Sequence, residues 1–320
     1  MKKLISNIVF TKNRPLQLDA YLESLYRYFP AELIQTYIIY KVERFEEEYE
    51  QLFQKYSNCI VIKEKDFHSD FLRILSQINT KYILFGVDDV VYFDSIGFEV
   101  IDETFNKFSK DVFGFSLRFR VENLKSGNDP VSQTAVAGQT VCSINWTRGR
   151  TPITRYPFEL CATIYPTTLV KKVINSTMNN SSIAKALFSP SSALIKALST
   201  MVSTRSILKS FGYFFSPNTL ESWTCRWCQN HSDQLPNFLF FQNQCATAIQ
   251  VNMVNTSVLR NEFYEYSEYA IEVLANKYKQ GYRFDIDNLT RNKPTSIHCG
   301  PEYFKLVRNN ALCATKTERN

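Results

Sequence analysis

Glycine is scarce in this chain: nine among 320 residues. That scarcity excludes propellers, β-helices and other Gly-periodic arrays, and no internal repeat is present. No stretch approaches the roughly 18 consecutive apolar residues of a membrane span. The opening MKKLISNIVFTKNRP begins like a secretory signal, but Ser6 and Asn7 break its apolar run, which stops at Thr11-Lys12. Without such a signal, the eight cysteines (59, 142, 161, 225, 228, 245, 299 and 313), scattered through the chain, read as reduced thiols of a cytoplasmic protein. Acidic residues are missing altogether between 160 and 220, where Lys171, Lys172, Lys185, Lys196, Arg205 and Lys209 supply six positive charges. Lys+Arg 37 against Asp+Glu 31 gives +6, so this one segment carries the whole net charge.

Hydrophobic residues at 44% and charged residues at 21% are globular values and exclude a disordered chain. With 25 Phe and 18 Tyr, the chain can bury a large core. The length fits one α/β core of about 220–260 residues with appended elements. In the acid-free segment, Leu194, Ile195, Leu198, Met201 and Val202 stand at helical spacing. Such a segment suits an anionic membrane surface or an anionic acceptor, or packs as short helices with its lysines in solvent. The lysines are dispersed and no basic–aromatic recognition motif accompanies them, so nucleic acid is not an expected partner.

Strand and helix patterns alternate through the first hundred residues. Buried strands are predicted at 4–10, 37–42, 59–62 and 81–87, and helices from Pro15, over 45–56 and over 69–77. The helix at 45–56 sets Phe45, Tyr49, Leu52 and Phe53 on one side. This rhythm means βαβ units and a mainly parallel sheet. A helix is also expected to start near Asp94. Beyond it, the pattern predicts strands at 112–120 and 158–165, a polar loop over 121–141, and a helix over 265–280 capped by Gly281. No linker composition separates the halves. The reading is one continuous domain, with residues 1–110 as a nucleotide-binding half and 111–320 as an acceptor half that includes the basic helical segment 160–220.

Paired carboxylates end the fourth strand, in Tyr82-Ile83-Leu84-Phe85-Gly86-Val87-Asp88-Asp89-Val90. In open α/β sheets, ligands bind beyond the carboxyl ends of the strands. Two adjacent carboxylates there are costly unless compensated, and Mg²⁺ or Mn²⁺ shared with substrate phosphates is a common solution. A capped turn is the structural alternative. Pro217-Asn218-Thr219-Leu220-Glu221-Ser222-Trp223 reads as a helix start, capped by Asn218 or Thr219, with Glu221 in the first turn. By position alone, Glu221 complements the helix dipole. Cys225-Arg226-Trp227-Cys228 with His231 and Cys245 is a weak zinc pattern, since no second CxxC accompanies it, and packed core is the better reading.

The opening Ile8-Val9-Phe10-Thr11-Lys12-Asn13-Arg14-Pro15, followed by Leu16, Leu18, Ser24 and Leu25, resembles the first strand and helix of GT-A glycosyltransferases of the family 2 type, such as those of bacterial surface polysaccharides. Residues 82–89 look like the metal-binding Asp-x-Asp strand of that family, at the expected interval. Val87 stands where the family usually has Asp. The resemblance implies a GT-A (Rossmann-like) sheet flanked by helices, and a metal-dependent transfer of sugar from a nucleotide-diphosphate donor to a glycan or lipid-linked acceptor. It places Mn²⁺ or Mg²⁺ on Asp89, with His298 as a further ligand, and Asp88 near the ribose. It sets Thr11, Asn13 and Arg14 against the donor. The family's acidic residue after the second strand is missing, which leaves the base to Glu64 or Asp66. Glu221 is implied as general base, and Glu159 is the second candidate. The setting implied is cytoplasmic, peripheral on the inner face of the membrane. Two rivals differ in class. A sugar-phosphate nucleotidyltransferase would need a Gly-rich, Arg-containing loop where Asn13-Arg14-Pro15 stands, and a non-catalytic scaffold subunit would suit the reduced Val-Asp-Asp-Val motif.

Overall fold

The computed structural model describes residues 3–126, 128–179, 212–231, 235–254 and 267–308. Lys185, Lys196, Arg205 and Lys209, with the apolar residues between 194 and 202, lie outside the described residues.

The sheet is built outward from β1 (Ile5–Lys12), seven of whose eight residues are buried. It pairs in parallel with β2 (Ile34–Lys41) on one side and β4 (Tyr82–Val87) on the other, and β3 (Ile60–Lys63) extends the parallel edge beyond β2. A strand covered on both faces reads as a continuous apolar run, which is why β4 and the Ile8-Val9-Phe10 stretch of β1 are legible in sequence. The crossovers are α1 (Pro15–Tyr28), α2 (Glu46–Lys55) and α3 (Phe67–Gln77). Pro15 at the first helical position fixes the start of α1, and Leu18, Leu22 and Leu25 bury its inner stripe. Ile5 and Val9 of β1 face the cluster containing α1, whereas Ile8 and Phe10 face Phe71, Phe85 and Phe214 on the other side. Gly86 is needed where it stands: a Cβ there would lie 2.1 Å from the Tyr21 hydroxyl.

Past β4 the chain leaves the sheet. β5 (Val90–Tyr92) joins a small second sheet with β11 (Ala246–Ile249) and β13 (His298–Cys299). The helix expected near Asp94 is α4 (Phe98–Lys107), capped at Gly97. β6 (Val112–Ser116) is shorter than the predicted strand over 112–120. The predicted loop over 121–141 is instead α5 (Val121–Ser126) followed by a hairpin of β7 (Val131–Val136) and β8 (Gln139–Asn145). Its turn, Ala137-Gly138, has both residues at positive φ, 45° and 75°, as a two-residue hairpin twist demands. β7 is an exposed strand at the sheet's edge, so it lacks the alternation that marks a half-buried one.

β9 (Thr163–Pro166) occupies only the end of the predicted 158–165 strand and inserts antiparallel between β4 and β6. Then come α6 (Thr167–Asn179), α7 (Pro217–Asn230), β10 (Asn237–Phe241), α8 (Ile271–Lys279), β12 (Tyr282–Phe284), α9 (Ile286–Arg291) and β14 (Leu306–Arg308). The large sheet runs β3-β2-β1-β4-β9-β6-β10-β8-β7, and all but β8 and β9 point the same way. The architecture is a mainly parallel α/β sheet flanked by helices, as the sequence predicts. Reversal at β9 opens the carboxyl edge beside β4, where Asp88 and Asp89 emerge.

Candidate active site at the carboxyl edge

The residues where β1 and β4 end form one bonded chain. Asp88 is enclosed, with 1% of its side chain exposed, and its Oδ2 accepts the Thr11 hydroxyl at 2.7 Å. Thr11 has a single proton to give, so the Tyr49 hydroxyl, 2.8 Å away, donates to Thr11 Oγ1. Tyr49 in turn accepts the Arg14 backbone N–H at 3.0 Å. The Arg14 guanidinium closes the ring with an ion pair to Asp88, and one of its nitrogens stands 4.0 Å from Asp89 Oδ2. Burial pushes Asp88 up to about 6 against the opposing pull of Arg14, and the like charge of Asp89 adds to the rise.

Asn13 works within the loops. At φ 53° it turns the chain out of β1, and its Oδ1 accepts the backbone N–H groups of Glu43 at 2.9 Å and Arg44 at 3.3 Å. Asp66 is similarly engaged: it caps α3 through the Ser69 N–H at 3.0 Å and accepts the Tyr213 hydroxyl. Glu64 pairs with Lys41 at 3.1 Å.

Across the edge stand two carboxylates in different states. Glu159 is buried, ion-paired to Arg118, and accepts the Thr163 hydroxyl. Both of its oxygens are occupied, so it is poorly placed to take a proton from a ligand. Arg118 also donates to the carbonyls of Cys161 at 3.0 Å and Ile297 at 3.2 Å, tying three chain segments together. Glu221 is half-buried, and its Oε1 accepts the Leu160 N–H at 3.0 Å. Burial pushes its pKa up to about 7; the Leu160 N–H and Arg118 oppose this, while the charges of Glu159 and Asp89 add to it. Asp89 and Glu221 therefore lie within range of each other's field. Ser216, rather than Asn218 or Thr219, caps α7, in a reciprocal box with Thr219, so Glu221 belongs to the second turn and does not complement the dipole.

The register sets His298 two strands from Val90, the residue after Asp89: Val90 pairs with Ala248 and Ala248 with His298, two strand spacings or about 9–10 Å apart. Burial lowers the pKa of His298 to about 4, and the charge of Arg118 adds to the fall. Among the described residues, no three His, Cys, Asp or Glu side chains converge to hold a metal, and Cys225, Cys228 and His231 are no exception. Asp89 itself fits a cation that a ligand's phosphates would share. Its side chain is 19% exposed, and its Oδ1 is buried with no hydrogen-bond partner. Tyr49 and Arg118 escape sequence reasoning. Tyr49 reads as one more aromatic on an apolar face, and the only hint is that a buried phenol needs a partner.

No protein-family model matches the chain. It is 21% identical, over 192 residues, to the bifunctional glycosyltransferase pgtA of Dictyostelium discoideum. The chain resembles glycosyltransferases. That alignment covers 52% of this chain and 24% of pgtA, so the chain spans about a quarter of its relative. Solved structures with partial likeness include S. aureus TarS, at 15% identity and TM-score 0.38 over 54% of this chain and 30% of TarS. TarS 1-349 in complex with UDP-GlcNAc gives 18% and 0.37 over 53% and 47%. The mannosyltransferase PcManGT of Pyrobaculum calidifontis, in complex with GDP-Man and Mn²⁺, gives 8% and 0.29 over 38% and 37%.

Proposed function

We propose that the chain is a glycosyltransferase that moves a sugar from a nucleotide diphosphate to an acceptor hydroxyl at the carboxyl edge of β4. The observation that carries this reading is that Asp89, with one buried and unpartnered oxygen, lies within electrostatic range of Glu221, whose pKa burial pushes up to about 7. A group near that value is half ionised at neutral pH and can both accept and release a proton. Glu159 is spent on Arg118 and Thr163, so the role of base falls to Glu221. The resemblance to pgtA supports the class of reaction.

In an inverting displacement, Glu221 takes the proton of the acceptor hydroxyl as its oxygen bonds to the anomeric carbon. The bond from that carbon to the diphosphate oxygen breaks, and its electron pair leaves with the nucleotide. Mn²⁺ or Mg²⁺ held by Asp89 and the diphosphate would supply Lewis-acid stabilisation of that charge. Thr11 and Tyr49 hold Asp88, and Asn13 holds the loop after β2, so these residues shape the donor face from within. Residues 1–110 then form the donor half and the remainder the acceptor half. A glycan or lipid-linked acceptor fits the chemistry, as do surface polysaccharide synthesis and cytoplasmic attachment to an anionic membrane through the basic residues between 160 and 220. No helix among the described residues is long and apolar enough to cross a membrane.

The test is release of nucleotide from a panel of UDP- and GDP-sugars, with Mn²⁺ present and then chelated. Release from at least one donor, lost in Glu221→Gln, is the expected result. No release from any donor, with no thermal stabilisation by any, would favour a scaffold.

A further inference from the structure

The Asp88-Asp89 pair already has a cation, and it belongs to the protein. Arg14 is fixed at the head of α1 by its own backbone: its N–H donates to Tyr49 at 3.0 Å and its carbonyl accepts from Leu18 at 3.0 Å. From there the guanidinium, on a side chain only 11% exposed, pairs with Asp88 and stands 4.0 Å from Asp89 Oδ2. Two carboxylates and one guanidinium leave a single net negative charge. Three atoms of this cluster are buried without a hydrogen-bond partner, Arg14 Nε, Asp88 Oδ1 and Asp89 Oδ1, of which Asp88 Oδ1 is held by the ion pair to Arg14. The cluster is partly compensated in charge and incomplete in bonding.

We infer that Arg14 is a resident counter-cation of Asp88 and Asp89 that keeps a free divalent ion off Asp89, so that metal and nucleotide diphosphate enter together. A divalent ion on Asp89 would meet the guanidinium at close range in a partly buried setting, where like charges repel strongly. A diphosphate supplies the negative charge that offsets this repulsion. Metal affinity and nucleotide affinity are then coupled, and the coupling is reciprocal. The inference rests on reading Asp89 as the metal-facing carboxylate, but it concerns the protein before any donor binds.

The experiment is titration of the full chain with Mn²⁺ alone, read by calorimetry or by the electron paramagnetic resonance of free Mn²⁺. The variants are Arg14→Gln, Arg14→Lys and Lys12→Gln. Lys12 is the control: it lies on the same edge, 32% exposed, and pairs with Glu43. Arg14→Gln should bind Mn²⁺ at least about tenfold more tightly than wild type. Arg14→Lys and Lys12→Gln should stay near wild type. The double variant Arg14→Gln/Asp88→Asn keeps the net charge and serves if Arg14→Gln does not fold; it too should bind more tightly. Equal affinity in wild type and Arg14→Gln, or an equal gain in Lys12→Gln, overturns the inference. A second arm repeats the wild-type titration with UDP and with GDP, corrected for protein-free nucleotide. Tighter Mn²⁺ binding there supports the coupling. No binding by any form, with or without nucleotide, would instead remove Asp89 as a metal ligand.

Discussion

The carboxylate of Glu221 accepts the backbone N–H of Leu160 at 3.0 Å, a bond that spans 61 positions of sequence and sets α7 against the loop before β9. It fixes one oxygen of Glu221, and the charge of Asp89 acts on the carboxylate held there.

Replacing Glu221 by Gln should lower turnover by about 10²–10⁴-fold while leaving donor binding intact, the usual worth of a positioned base. The sign of the pH dependence follows from its raised pKa. The base form is lost as pH falls below about 7, so the rate should drop there roughly tenfold per unit and level off above. Rate–pH profiles of wild type and variant check this. A wild-type profile flat from pH 5 to 8 would exclude Glu221 as the titrating base.

Glu159→Gln and Arg118→Met should act on stability. Their ion pair is buried, with side chains 9% and 4% exposed, and removing one partner strands the other charge away from water. The expected loss is about 3–5 kcal/mol in each single variant, with less than additive loss in the double. Denaturant melts of the three variants measure it. Additive losses would mean that the two side chains do not act as a pair.

His68 predicts acid sensitivity. It is 5% exposed, its Nδ1 accepts the Phe214 N–H at 3.1 Å, and it stacks on Tyr213 at 4.3 Å. Burial pushes its pKa down to about 4, against a smaller upward pull from Asp66. A depressed histidine contributes stability that is complete above about 6.5 and is lost as pH falls toward 4, because the unfolded chain takes up the proton first. Melting temperature across pH 4–7 should fall with acid in wild type. The slope should be shallower in His68→Asn.

Much of the donor side was legible in sequence because its signals are local. β4 is an unbroken apolar run and Ile8-Val9-Phe10 a short one within β1, Pro15 marks a helix start, and Asp88-Asp89 follow a strand directly. What was hidden is what other segments supply. Tyr49 reaches Thr11 across 38 positions and Arg118 reaches Glu159 across 41. Periodicity tells which face of an element is buried but not which distant partner meets it. The same limit separates Glu159 from Glu221: both are acids near a strand or helix end, and only their partners show that Glu159 has an ion pair and a hydroxyl on its two oxygens while Glu221 holds one backbone N–H. His298 was placed by analogy of order along the chain, and the register of β5, β11 and β13 sets it two strands from the residue that follows Asp89.

Calorimetric titration of a nucleotide-sugar donor into wild type and Asp89→Asn, with and without Mn²⁺, tests the account most directly. Wild type should bind at least about tenfold more tightly with Mn²⁺ than without it, a difference of about 1.4 kcal/mol or more. Asp89→Asn should keep the wild-type melting temperature and lose that increment. Metal-dependent binding of undiminished affinity in Asp89→Asn would contradict the assignment of this edge as the donor site.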